Sequence, residues 1–211
     1  GTIELDGQPV QFHTPHQSLE AGIAFIHQEL NLINDLPVYE NMFIGRELKK
    51  KSGLLDHKEM IRQTQQLFDE MGLDISPRAM VSSLDASYKQ IVEISRALMM
   101  KASLIIMDEP TTSLTDPEIE RVFDMLRTLK AQQVGVVFIS HKLREVMEIC
   151  DRYTVLRDGV VVADGRVEDT TISQLACDMV GHAVKTESIR RDAARGAEVL
   201  RLENLTLEPY Y

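Results

Sequence analysis

The sequence predicts an α/β domain built on a mostly parallel sheet. Two short apolar runs, Leu104-Ile105-Ile106-Met107 and Gly135 to Ile139, have the continuous character of parallel strands buried on both faces. Helical patterns alternate with those runs, as the crossovers of a parallel sheet require. The chain has 211 residues, 44% hydrophobic and 27% charged, which supports one folded core and leaves little room for disorder.

Each element follows from its local pattern. TIEL and VQFH, joined through Asp6-Gly7, read as a first hairpin. A short apolar strand runs from Ile23 to His27 and leads into Gln28. Through Leu36-Pro37 to Arg46 the pattern is mixed, and loop plus a short helix is expected. Asp56 caps the next helix, with Glu59 placed three residues on as a capping box requires; Ile61, Leu67, Phe68 and Met71 share a face and Gly72 stops it. A further helix is predicted from about Tyr88 to Met100, its stripe formed by Ile91, Ile94, Ala97 and Leu98. After the Leu104 strand, Asp116-Pro117 reads as an N-cap followed by proline at the first helical position. Ile119, Val122, Phe123, Leu126 and Leu129 point inward from that helix. The GVVFI strand ends in Ser140-His141. A helix to about Ile149, a hairpin around Asp158-Gly159 and a capped helix from Thr171 to Val180 complete the domain. Residues 184–197 read as a charged linker, and 198–211 as the first strand of a second, truncated domain.

Composition excludes several classes. Net charge is −10, so the basic field of a nucleic-acid binder is missing and no nucleic acid is expected as a partner. Lys49-Lys50-Lys51 is a solvated run. No apolar stretch approaches the roughly 20 residues needed to cross a bilayer. Cys150 and Cys177 lie too far apart for a CxxC pair and read as small hydrophobes in a reducing cytosol. The chain opens on Gly1 without a signal pattern, which suggests a fragment.

The chemistry concentrates at strand ends. Ligands of open α/β sheets sit at the carboxyl ends of parallel strands, where Leu104 to Met107 delivers Asp108 and Glu109. Adjacent carboxylates on an extended chain point to opposite faces and can take different jobs. Asp108 would hold Mg²⁺, directly or through its water. Glu109 would orient and polarise an attacking water, as a general base or close to it. His141 ends the second apolar strand and can emerge at the same edge.

Gln28, QIVEISRAL, LIIMDEPTTSLT and VVFISHK, in that order, resemble the ATP-binding domain of ABC transporters, a P-loop NTPase fold. FIHQELNLINDLPVYENMFIGRE and CDRYTVLRDGVVV are similar to stretches of the double-domain ATPases of bacterial monosaccharide importers, of ribose, galactose and arabinose type. The resemblance covers residues 1–183, with a second domain's first strand beyond. It implies ATP and Mg²⁺ as ligands, Gln28 as the Q-loop glutamine contacting Mg²⁺, and Asp108 and Glu109 as the Walker B pair. Ser113 to Asp116 would form the D-loop along a dimer seam, and His141 would be the switch histidine. Residues of about 37–100 would form a helical subdomain coupled to an integral-membrane permease, served indirectly by a periplasmic sugar-binding protein. The domain's ATP-sandwich partner would be the second ABC domain or a homodimer mate. Its place would be cytoplasmic, peripheral on the inner face of the membrane.

Two departures from the family pattern stand out. A glycine-rich phosphate loop, the Walker A motif, is missing from the sequence. Its nearest match, Gly45 to Ser52, puts Lys50 where the second glycine belongs, so a Cβ crowds the phosphate approach. N-terminal truncation is the expectation, with the fragment inactive alone. The second departure is the signature loop, where Leu84, Asp85, Ala86, Ser87 and Tyr88 stand in place of Leu-Ser-x-Gly-Gln. Asp85 would repel the γ-phosphate held by the partner domain by roughly 1–4 kcal/mol at about 4 Å. The helix dipole would return only about 0.3–1 kcal/mol. Two unequal ATP sites are therefore expected in the intact protein. A non-catalytic remnant and a soluble ABC-type ATPase without a permease are the competing readings.

Overall fold

The computed structural model describes residues 1–5 and 7–181. The predicted linker at 184–197 and the second-domain strand at 198–211 lie outside the described residues. Strands β1 (Ile3–Leu5) and β2 (Gln8–Val10) form an antiparallel hairpin with Gly7 at φ +73° in its turn, as expected, but the second strand precedes the expected VQFH and overlaps it only at Val10. A helix that the sequence reading missed, α1 (Pro15–Glu20), follows, with Thr14 accepting from the Gln17 N–H at 3.3 Å.

Three parallel strands form the central sheet: β3 (Ile23–Ile26), β4 (Leu104–Asp108) and β5 (Gly135–Ile139), with β4 in the middle. Their register is fixed, Ile26 standing beside Met107 and Asp108 beside Ile139. Pleat alternation sends Ile105 and Met107 into the core, against helices α4 (Ala86–Met99) and α5 (Asp116–Ala131). Phe25, Val137 and Ile139 face the other way and remain exposed. The expected burial on both faces therefore does not hold among the described residues. An unbroken apolar run leaves open how many of a strand's faces are covered.

Between β3 and β4 lie α2 (Val38–Phe43), α3 (His57–Glu70) and α4, packed on one another. In α3 the Asp56 carboxylate caps the Glu59 N–H at 3.2 Å, but Glu59 turns outward to Arg62 and Gln63. The capping box is thus only half made. Met60, Thr64 and Phe68 form the buried stripe, with Ile61 and Leu67 at its margin. α4 is the central helix, buried around most of its circumference, including Ser87, Gln90, Glu93 and Ser95. A single apolar stripe underestimates it, because helices cover it from several sides. It begins two residues before the expected Tyr88, since Asp85 accepts from the Tyr88 N–H at 2.9 Å.

α5 is capped by Thr115 rather than Asp116. The Thr115 N–H and hydroxyl both donate to the Glu118 carboxylate, at 2.9 and 2.7 Å, leaving Asp116 and Pro117 inside the first turn. α6 (Leu143–Ile149), the antiparallel pair β6 (Arg152–Arg157) and β7 (Val160–Arg166), and α7 (Ile172–Val180) follow as expected and are the last of the described elements. The turn of that pair places Asp158 and Gly159 at φ +52° and +76°, the left-handed geometry that two-residue hairpins favour. Among the described residues no helix is long and apolar enough to cross a membrane.

Phe123 joins α5 to the sheet, fully buried and edge-on to Phe138 of β5 at 6.2 Å between ring centres. Phe123→Ala is expected to destabilise the fold by about 3–5 kcal/mol, read as a lowered midpoint in urea unfolding.

Candidate functional site

The parallel register delivers the predicted residues to one edge. Gln28 lies two residues past Ile26 on β3, Asp108 is the last residue of β4, and His141 lies two past Ile139 on β5. The loop after Gln28 is stitched down by buried Asn41 of α2. The Asn41 amide accepts from the Ile33 N–H at 2.7 Å and donates to the Ile33 carbonyl at 3.0 Å. Arg96 of α4 donates to the Asn31 carbonyl at 3.2 Å. A cavity of about 310 Å³ opens between this loop, the start of α4 and the segment after β4. Gln28, Ala86, Gln90, Glu109, Thr112 and Ser113 are among the residues that line it.

Glu109 departs from the extended geometry expected of it. Its φ is +44°, a left-handed conformation rare for a side chain of this size. Such backbone costs on the order of 1–3 kcal/mol and persists only where neighbours over-determine it. Here the Glu109 N–H donates to the Ile139 carbonyl at 2.9 Å. Its carboxylate meets His141 Nδ1 at 2.7 Å and accepts from the Thr112 hydroxyl at 3.0 Å. Asp108 and Glu109 are thus separated by a turn of the chain, not by the alternation of a strand. The His141 and Thr112 contacts hold the Glu109 carboxyl below the usual carboxylate range.

The signature-position loop is tightly built. Asp85 caps α4 with one oxygen, which also accepts from the Ser87 hydroxyl at 2.8 Å. Its other oxygen takes a 2.8 Å bond from Arg121 of α5. The Arg121 guanidinium lies over the Tyr88 ring, 4.9 Å from its centre. Burial opposes ionisation of Asp85, yet the Tyr88 N–H, Ser87 and Arg121 together hold its carboxyl below the ordinary range. The carboxylate expected to repel a partner's phosphate is therefore charge-compensated within its own chain. Leu84 packs against the core and Ser87 is buried.

Asp116 does not reach this cavity. It sits exposed in the first turn of α5. The Gly45 to Ser52 segment forms a tight turn in which the Lys50 N–H donates to Leu54 at 2.8 Å and Gly53 to Lys50 at 2.9 Å. It leads into no helix at a strand end, as its rejection from sequence anticipated. Sequence reasoning missed Gln90 and Arg121. Gln90 is buried with its amide nitrogen unpartnered at the cavity wall, and its position one turn into α4 was the available signal. Arg121 has no such local signal, because its role comes from the packing of α5 on α4.

Three parallel strands with acid, amide and imidazole at one edge define an ATP-binding cassette of the P-loop NTPase fold. The ABC transporter family model matches residues 1–112, just over half of the chain, and the chain belongs to that family. It is 40% identical over 206 residues to the galactose/methyl galactoside import ATP-binding protein of Sodalis glossinidius. It is 39% identical over 206 residues to the protein of the same name from Escherichia coli K12. Both alignments cover 98% of this chain and 40% of the relative, so the chain spans about two fifths of their length. A solved ABC transporter ATP-binding cassette in its ADP conformation superposes with a TM-score of 0.71 at 21% identity, covering 86% of this chain and 77% of that one. A nucleotide-free cassette gives 0.68 at 20% identity, covering 88% and 76%. At those identities the likeness establishes the fold.

The Glu109–His141 contact has a pH signature. Because His141 is the first cause of the lowered Glu109 pKa, His141→Ala should move the Glu109 titration upward toward the ordinary carboxylate value. The stabilisation from this pair is present above that ordinary value and fades as pH falls through the lowered folded value. A carboxyl-carbon NMR titration of both proteins measures the difference.

Proposed function

We propose that this chain is the water-activating part of an ATP-hydrolysing domain that energises monosaccharide import. The observation that carries the reading is the Glu109–His141 contact at 2.7 Å, with Glu109 lining the same cavity as Gln28. Glu109 takes the proton of a water that attacks the γ-phosphorus of ATP. The bond to the β–γ bridging oxygen breaks, giving ADP and inorganic phosphate. His141 orients the Glu109 carboxylate through Nδ1–H and leaves Nε2 facing outward toward the phosphate; as imidazolium, both nitrogens donate. Asp108 and Gln28 are oxygen donors of the kind Mg²⁺ takes alongside substrate phosphates, and would hold it there to neutralise charge on them. The ATP phosphates would also need a cradle of backbone N–H groups of the kind a glycine-rich loop supplies.

The signature-position loop, Leu84 to Tyr88, acts in trans on nucleotide held by a partner ATP-binding domain, with Asp85 neutralised by Arg121. Residues 37–100 form the helical subdomain that meets an integral-membrane permease on the cytoplasmic face, and the permease receives sugar from a periplasmic binding protein. The monosaccharide class is supported by relatives named for galactose and methyl galactoside import. The 98% coverage of this chain in those alignments extends the support through the segments after His141.

The test is Glu109→Gln in the intact protein. Loss of the general base should lower ATPase turnover by at least about 10²-fold while ATP binding persists. Near-normal turnover would contradict the assignment.

A further inference from the structure

A second contact between the β4 and β5 extensions lies beneath the Glu109–His141 pair, and it is buried. Thr111 and Glu145 are 1% and 7% exposed. The Thr111 hydroxyl donates to Glu145 Oε2 at 2.5 Å. Lys142 Nζ donates to the Thr111 carbonyl at 2.7 Å and lies 3.1 Å from Glu145 Oε1. Three residues thus close a ring between the chain two residues after Glu109 and the chain directly after His141. It continues in side chains the parallel pairing that β4 and β5 end at Asp108 and Ile139.

Burying the Glu145 carboxylate, beside a Lys142 side chain that stays 32% exposed, costs more than a well-packed apolar contact unless its bonds are made. What such a network supplies is a single geometry, since each member is over-determined by the others. We propose that Lys142, Thr111 and Glu145 are positioning residues that set His141 against Glu109. Among the described residues none of the three hydrogen-bonds the Glu109 or His141 side chain, while the Lys142 ammonium attracts the Glu109 carboxylate through space. Their joint effect is to fix the two backbone segments from which those side chains project, including the strained backbone at Glu109. The consequence for turnover rests on the hydrolytic roles given to Glu109 and His141; the geometric claim does not.

The test uses Thr111→Val, which keeps shape and removes the hydroxyl, and Thr111→Ser, which restores it. In the 211-residue chain labelled with ¹⁵N-histidine, Thr111→Val should move the His141 ring-nitrogen resonances toward those of exposed His13 at the same pH. Thr111→Ser should leave them at the wild-type positions. Lys142→Met, which spares the buried hydroxyl, should shift them in the same direction as Thr111→Val and serves if that variant fails to fold. In the intact protein the shifting variants should lower kcat for ATP hydrolysis by roughly 10-fold with KM for ATP changed less than about 2-fold. Unmoved His141 resonances in folded Thr111→Val and Lys142→Met would overturn the proposal. Shifted resonances with unaltered turnover would uphold the clamp and contradict the hydrolytic assignment instead.

Discussion

The parallel pairing of β4 with β3 on one side and β5 on the other is the constraint on which the site depends. Parallel strands bring their carboxyl ends to one edge, so residues 81 positions apart across β3 and β4, and 31 apart across β4 and β5, become neighbours there. Gln28, Asp108, Glu109 and His141 each follow directly from a strand end. No loop has to travel to assemble them. Even the strained backbone of Glu109 is a product of this pairing, since its N–H is taken by the last carbonyl of β5. Without that bond the left-handed turn would lose its principal backbone restraint, and the carboxylate its aim.

Charge pairing gives the edge its second layer of order. A protein of net charge −10 that gathers carboxylates at one sheet edge must compensate them locally. Glu109 meets His141, Asp85 meets Arg121, and Glu145 meets Lys142. The three pairs differ in kind. The Asp85 pair is partly exposed and contributes little stability by itself, but it neutralises the charge that the signature-position loop presents. Glu145 is buried and fixes position. The Glu109 pair stays partly open to solvent, with His141 60% and Glu109 29% exposed.

Much of this was legible in the sequence because the pattern and the physics coincide. Apolar runs ending in Asp108-Glu109 and Ser140-His141 encode both the strands and the polar side chains those strands bring to one edge. Thr171 and Asp56 announced their helices through capping. What stayed hidden depends on tertiary neighbours. Continuous apolarity at Leu104 to Met107 is equally compatible with one covered face or two. Asp85, read as an isolated charge, acquires its partner only when α5 packs on α4 and brings Arg121 beside it. Glu109 lies in a left-handed turn for which the surrounding residues carry no local signal. Thr111 and Glu145, 34 residues apart, meet only through the sheet.

On the proposed reading, Glu109 and His141 act as one unit at the sheet edge. A double-mutant cycle on ATPase kcat in the intact protein tests it, using Glu109→Gln, His141→Ala and both together. Residues acting as a unit lose activity non-additively, so the double variant should be scarcely slower than the worse single one. Losses that multiply in full would show two independent contributions and contradict the account.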